Sequence, residues 1–158
     1  MMTFGLFLSF MQIYEEQQGI DMYKNMLELA VLADDLGFEN VWVPEHHLVH
    51  YIPAPNALLI ANQLGQHVKK ATVGTAVVLL PFHHPLAMAG DIAATDNMLE
   101  GKFELGVARG AYKYEFDRFG QEFGDSRARF DESLGILEKV WHSEDEGIAH
   151  TGKFWNFD

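Results

Sequence analysis

Four short runs of apolar, mostly β-branched or aromatic residues recur along the chain, each followed by a longer stretch with helical spacing. Residues 3–9, 40–43, 72–79 and 103–108 read as buried strands. The third run is almost continuously apolar, as a strand covered on both faces should be. Between the first two, Asp21 can cap a helix whose apolar residues Met22, Met26, Leu29, Ala33 and Leu36 repeat at helical spacing, with Gly37 just past its end. A second helix is expected from about 56 to 67, with Ala57, Ile60, Ala61 and Leu64 on one face. His84 can cap a third, Pro85 can occupy its first position, and Gly101 lies beyond its end near 99. Asp125 or Ser126 begins a fourth, carrying Phe130, Leu134, Leu137 and Trp141. Residues 47–55, with two prolines, and 109–124, rich in glycine and aromatics, read as loops. The tail from 143 is acidic at first and then reads as a strand or hairpin around 153–157.

The strands begin near residues 4, 40, 72 and 103, a repeat of about the length of a βα crossover unit. Two architectures fit: a (β/α)8 TIM barrel of which this is the N-terminal half, or an open doubly wound sheet. No Gly-x-Gly-x-x-Gly follows the first strand, which counts against a dinucleotide-binding sheet. A full barrel typically needs about 250 residues, so four units in 158 residues make half of one. No linker or composition shift divides the chain, and residues 1–158 read as one domain.

Composition narrows the partners. The net charge is −12, which argues against nucleic acid and anionic membrane. The absence of cysteine excludes disulfides, thiolate catalysis and Cys-based zinc sites, and fits a cytoplasmic protein. Residues 2–11 lack the basic and small-residue features of a signal peptide. The longest apolar run, 71–82, is too short to cross a bilayer.

The candidate chemistry gathers where strands end. Asn40-Val41-Trp42-Val43-Pro44 delivers Glu45, His46 and His47 at the C-terminal end of the second strand, where α/β folds present reactive groups. Continued strand alternation would set Glu45 and His47 on one side and His46 on the other. Histidine titrates near neutral pH, which suits acid–base or charge-stabilising work. Two alternatives stand beside it: histidines bonded locally in a loop, and a metal site with a further ligand from His83 or His84. Adjacent histidines cannot both face inward on a regular strand, so no metal is assigned. Arg109 follows the fourth strand directly. Arg127 stands in the first turn of the fourth helix, where a cation opposes the helix dipole unless an anion also binds there. Tyr112, Tyr114 and Phe116 could stack on a planar ligand or pack beneath the loop.

Several blocks, in order along nearly the whole chain, resemble the bacterial luciferase-like, flavin-dependent monooxygenase family, and most of all its luciferase α subunit. They are Phe4-Gly5-Leu6-Phe7-Leu8, Gly37-Phe38-Glu39-Asn40-Val41-Trp42, Glu45-His46-His47, Val73-Gly74-Thr75-Ala76, Leu80-Pro81 and His84-Pro85. Gly101-Lys102-Phe103-Glu104-Leu105-Gly106, Arg109-Gly110-Ala111-Tyr112, Phe119-Gly120 and Ser126-Arg127-Ala128 complete the series.

The resemblance implies a TIM barrel that binds reduced FMN and activates oxygen on it, to oxidise an aldehyde or another apolar small molecule. It implies that His46 is the catalytic histidine and His47 its supporting neighbour. Glu45, Ala76, Val77, Arg109, Ala111 and Tyr112 match positions lining the flavin, with a non-prolyl cis peptide at Ala76–Val77. Arg127 matches a flavin phosphate ligand, and Phe7 lies on the substrate side. A flavin reductase is implied as electron source. Ala108 stands where the luciferase α subunit has a reactive cysteine and Pro44 where it has an aliphatic residue, and both point to a relative rather than a light-emitting enzyme; Val77 replaces an alanine beside the flavin. The family's remaining phosphate ligands and its lid would lie beyond Asp158. The alternatives are a deazaflavin (F420)-dependent oxidoreductase, a non-catalytic flavin-binding or partner subunit, and a metal-dependent hydrolase. Four βα units leave apolar strand edges, so a homo-oligomer is expected, unless the tail around 154–157 folds back over them.

Overall fold

The computed structural model describes residues 2–143 and 147–158. The chain forms two compact units: the first holds the chain up to Val78 with Ala94–Val107, and the second holds Leu79–Ala93 with Ala108–Asp158.

In the first unit, β1 (Gly5–Phe7), α1 (Gly19–Asp35), β2 (Asn40–Val43), α2 (Ala57–Gly65) and β3 (Thr72–Thr75) follow one another as strand–helix units. The chain leaves through β4 (Val78–Leu79) and a 3₁₀ turn at Leu80–Phe82. It returns along α3 (Pro85–Met98) to β5 (Phe103–Glu104) and β6 (Val107–Ala108). Strands β1, β2, β3 and β5 form a parallel sheet in that order, with Asn40 beside Thr72 and Val73 beside Phe103. This is the strand order expected of the first four units of a barrel. Val41, Val43 and Val73 are fully buried on one face. The other face is partly open, with Phe7 52% exposed. The expected burial of the first strand therefore fails, since no residue of β1 is buried, and β2 buries only alternate residues. On that open face the Trp42 ring lies flat where a side chain on Gly74 would be, so residue 74 has to be glycine for the tryptophan to fit.

The helix α1 begins two residues before the expected Asp21 cap: Gln18 is the cap residue and makes no side-chain bond. Its buried stripe is Met22, Ala30, Ala33 and Asp34, while Leu29 and Leu36 are exposed. The physical reason is Asp34, whose carboxylate turns inward to accept the backbone N–H groups of Lys69, Lys70 and Ala71 at 2.8, 2.9 and 2.7 Å. At the other end Gly37, at φ +86°, completes a left-handed cap, with the Phe38 N–H donating to the Ala33 carbonyl at 3.0 Å. α2 starts as expected, with Asn56 accepting the Leu59 N–H at 2.8 Å. The expected continuous third strand is broken after Thr75. The Val78 N–H donates to Gly106, and the Thr75 hydroxyl both donates to the Gly106 carbonyl and accepts its N–H, at 2.9 and 3.0 Å. Gly106 cannot carry a Cβ there, because the Thr75 carbonyl oxygen fills the space.

In the second unit the segment 109–124 is not all loop. It holds α4 (Lys113–Arg118), with Glu115 and Phe116 fully buried, and a 3₁₀ turn at Phe123–Asp125. The ring of Phe116 packs on Phe82 and Phe123 at 4.6 and 5.3 Å between centroids. Its edge occupies the place of a Gly110 side chain, and Gly110 has φ +84°. α5 (Ser126–His142) buries Ser126, Ser133, Ile136 and Leu137. Asp125 precedes it but makes no capping bond, since its carboxylate takes the Lys153 ammonium at 2.8 Å instead. Of the expected stripe Leu137 is buried, whereas Trp141 is 40% exposed and donates to the Ala89 carbonyl. The tail forms an antiparallel hairpin, β7 (His150–Thr151) with β8 (Asn156–Phe157). The acidic residues Glu144 to Glu146 lie outside the described residues.

Candidate functional site

The residues singled out from the sequence fall into two groups, one in each unit. In the first unit, β2 ends at the buried Val43 and Pro44 hands the chain to Glu45, His46 and His47. Glu45 and His47 are both buried, and Glu45 Oε1 lies 2.7 Å from His47 Nε2. Strand alternation thus persists past the proline: the two outer residues meet and the middle one turns away. His46 is half-buried, and its backbone N–H donates to the Ala54 carbonyl at 2.8 Å, which ties the end of β2 to the proline-rich loop. A buried carboxylate bonded to an imidazole fixes the ring's orientation.

The end of β3 lies beside this group. The Ala76 N–H donates to the Val43 carbonyl at 2.7 Å, and the Ala76–Val77 peptide is cis. Both side chains are half-buried. Phe7 closes β1 on the open face of the same sheet. A separate apolar groove of about 460 Å³ runs between α1 and α2, lined by Ile20, Tyr23, Leu27, Leu59 and Ile60. None of the singled-out residues lines it, and it holds no arrangement of reactive groups.

In the second unit, Arg109 is exposed and donates through Nη1 to the hydroxyl of the buried Ser126 at 3.0 Å; its guanidinium lies 5.9 Å from the Phe123 ring centroid. Ser126 begins α5, so this bond sets Arg109 at the turn that also carries Arg127. Arg127 is 74% exposed and paired with Asp131 at 2.9 Å, one helical turn on. Its position against the helix dipole is thus offset partly by a carboxylate of its own helix. Ala111 is exposed. Tyr112 is 44% exposed and stacks on Tyr114, with centroids 5.5 Å apart and rings 25° from parallel. Two accessible guanidinium groups and an accessible flat aromatic surface form a donor set that suits a planar ligand bearing a phosphate.

The sequence reading missed two parts of these groups. Ser126 drew notice as a helix start and as part of a family block, not as the group that orients Arg109 from 17 residues away. The Thr75–Gly106 lock, which shapes the end of β3, carried no sequence signal beyond a glycine inside an apolar run.

Comparison with known proteins places these groups in context. A family model described as luciferase-like monooxygenase matches residues 2–158. The oxygenase component of the flavin-dependent trigonelline monooxygenase of Acinetobacter baylyi is 34% identical over 99% of this chain and 43% of its own length. The alkanal monooxygenase alpha chain of Photorhabdus laumondii is 33% identical over 87% of this chain and 38% of its own. Among solved structures, the oxygenating constituent of 3,6-diketocamphane monooxygenase from Pseudomonas putida, in complex with FMN, superposes with a TM-score of 0.90. It is 27% identical and covers 99% of this chain and 44% of its own. This chain thus spans less than half the length of the relatives it matches, and its parallel α/β sheet is the corresponding part of a TIM-barrel fold.

Proposed function

Since this chain belongs to the luciferase-like monooxygenase family, we propose that it carries the histidine site and part of the flavin site of an FMN-dependent monooxygenase. The observation that carries this reading is the buried Glu45–His47 bond at the end of β2, which leaves His46 as the adjacent half-buried imidazole. Reduced FMN, when bound, supplies the electrons for oxygen activation. The protein's own groups do the rest. Glu45 holds His47 in one orientation, and the pair braces the strand end that presents His46. His46 holds or moves a proton at an imidazole nitrogen. Arg109, braced by Ser126, and Arg127 hold the phosphate, and Tyr112 offers its ring face to the flavin. Ala76, Val77 and Ala111 line the flavin with small or apolar surface, and Phe7 faces the substrate side, favouring an aldehyde or another apolar small molecule.

The electrons would come from a separate flavin reductase, as the name of the Acinetobacter relative, an oxygenase component, suggests. No helix among the described residues is long and apolar enough to cross a membrane, which fits a cytoplasmic enzyme. In the intact enzyme, Arg109→Ala or Arg127→Ala should each weaken FMN binding about tenfold or more, the worth of one charge-assisted hydrogen bond. Affinities within about twofold of wild type for both would remove these arginines from the flavin site. Tight binding of reduced FMN without oxygen uptake would favour the non-catalytic flavin-binding subunit.

A further inference from the structure

The terminal hairpin is attached to α5 mainly through one carboxylate. Glu132 accepts the backbone N–H of Lys153 at 3.1 Å, of Phe154 at 3.2 Å and of Trp155 at 2.9 Å, and lies 3.2 Å from His150 Nε2. Three successive N–H groups aimed at one anion form a nest, as a bound phosphate would find in a loop. Here the anion is the protein's own side chain, and the turn is shaped to admit it. A Cβ on Gly152 would collide with Glu132 Oε1 and with His150 Nε2. The hairpin also reaches this region through the Trp155 indole, which donates to the buried Ser133 at 3.0 Å, through Phe154, whose ring centroid lies 4.3 Å from Arg129, and through Lys153, which pairs with Asp125.

We propose that Glu132 is the latch of a pH-sensitive strap: the hairpin His150–Phe157 stays on α5 only while that carboxylate is ionised. A neutral carboxyl has one good acceptor oxygen for four donors, and charge-assisted bonds are roughly twice as strong as neutral ones. Burial alone would raise the Glu132 carboxyl, but the N–H groups of Trp155, Phe154 and Lys153 and the bond to His150 outweigh it and hold it below the ordinary carboxylate value. A lowered folded value means the latch is fully present above the unfolded carboxylate range and is lost as pH falls through the folded value. The other ionisable groups around it do not reproduce this behaviour. His150 is itself a partner of Glu132, Arg129 lies over the Phe154 ring, Asp131 is engaged by Arg127, and His84 packs against the Trp155 and Phe157 rings. Among the described residues, Asp125 is the competing carboxylate, and it holds a single exposed ammonium, that of Lys153.

Hydrogen exchange at the amides of residues 153, 154 and 155 tests the latch. In Glu132→Gln at pH 7 their protection should fall at least tenfold, while the amides of β2 and β3 keep theirs. Gly152→Ala should do the same with Glu132 intact, and Asp125→Asn should leave protection within about threefold. In wild type, lowering the pH from 7 to about 2, well below the ordinary glutamate value of about 4.3, should release these three amides before those of β2 and β3. Unchanged protection in Glu132→Gln, or hairpin amides released only together with the sheet on acidification, would overturn the proposal. If Glu132→Gln does not fold, the wild-type titration and Gly152→Ala decide it on the same criteria.

Discussion

Asp34 and His46 represent two different uses of a polar side chain. Asp34 is 2% exposed and accepts three backbone N–H groups from the segment leading into β3. Burial alone would raise its carboxyl, but those donors, with the Lys70 charge, hold it below the ordinary value. Its contribution to stability is therefore present above the unfolded carboxylate range, near pH 3.9, and lost as pH falls through the lowered folded value. Asp34→Ala would leave the buried Ala71 N–H and the part-buried N–H groups of Lys69 and Lys70 without their acceptor and should cost about 3 kcal/mol in urea unfolding at pH 7; a loss under 1 kcal/mol would mean the donors find other partners. The role proposed for His46 is chemical. In the intact enzyme His46→Ala should slow turnover by roughly 10²-fold or more, with FMN affinity unchanged. Turnover within a few-fold of wild type would make His46 structural. That Glu45 and His47 would share a side was legible on the condition that strand alternation continues past Pro44; their hydrogen bond was not. The inward turn of Asp34 was not, since an aspartate on a helix gives no sign of donors 35 to 37 residues away.

Elements defined by local pattern came through well, and elements defined by distant contacts did not. β2 has the bounds its apolar run indicates, and α2 begins where expected, just after Asn56. The expected third and fourth strands each break in two, because the Thr75–Gly106 lock inserts hydrogen bonds that no local pattern encodes. α4 escaped notice because it is only six residues long and mostly charged, and its one buried pair, Glu115 and Phe116, has no helical periodicity to display. Gly106→Ala tests the lock. The intruding atom is a backbone oxygen and cannot swing aside, so the substitution should cost roughly 1–3 kcal/mol, read from the midpoint of thermal unfolding. A midpoint unchanged within error would show that the segment shifts freely.

At the scale of the molecule, the four-stranded sheet has β1 and β5 as its edges, both carrying apolar side chains. Unpaired edges of this kind pair with other chains. The 158-residue chain alone should therefore self-associate at micromolar concentration, with two copies joined edge to edge about a two-fold axis as the simplest form. Light scattering across a dilution series would show a mass that falls on dilution; a constant monomer mass would contradict this. Because the chain spans less than half the length of its relatives, Arg109 and Arg127 would supply only part of the proposed phosphate site. The isolated chain should bind FMN weakly, and a nanomolar dissociation constant, about −12 kcal/mol, would mean that the site is already complete. The central claim is that the intact enzyme uses reduced FMN to activate oxygen. Its most direct test is titration with reduced FMN and, separately, reduced deazaflavin, following binding and oxygen uptake together. The account predicts that reduced FMN binds and oxygen is consumed in proportion, with reduced deazaflavin supporting no uptake. Binding of reduced deazaflavin in preference to FMN, with no oxygen consumed, would contradict it.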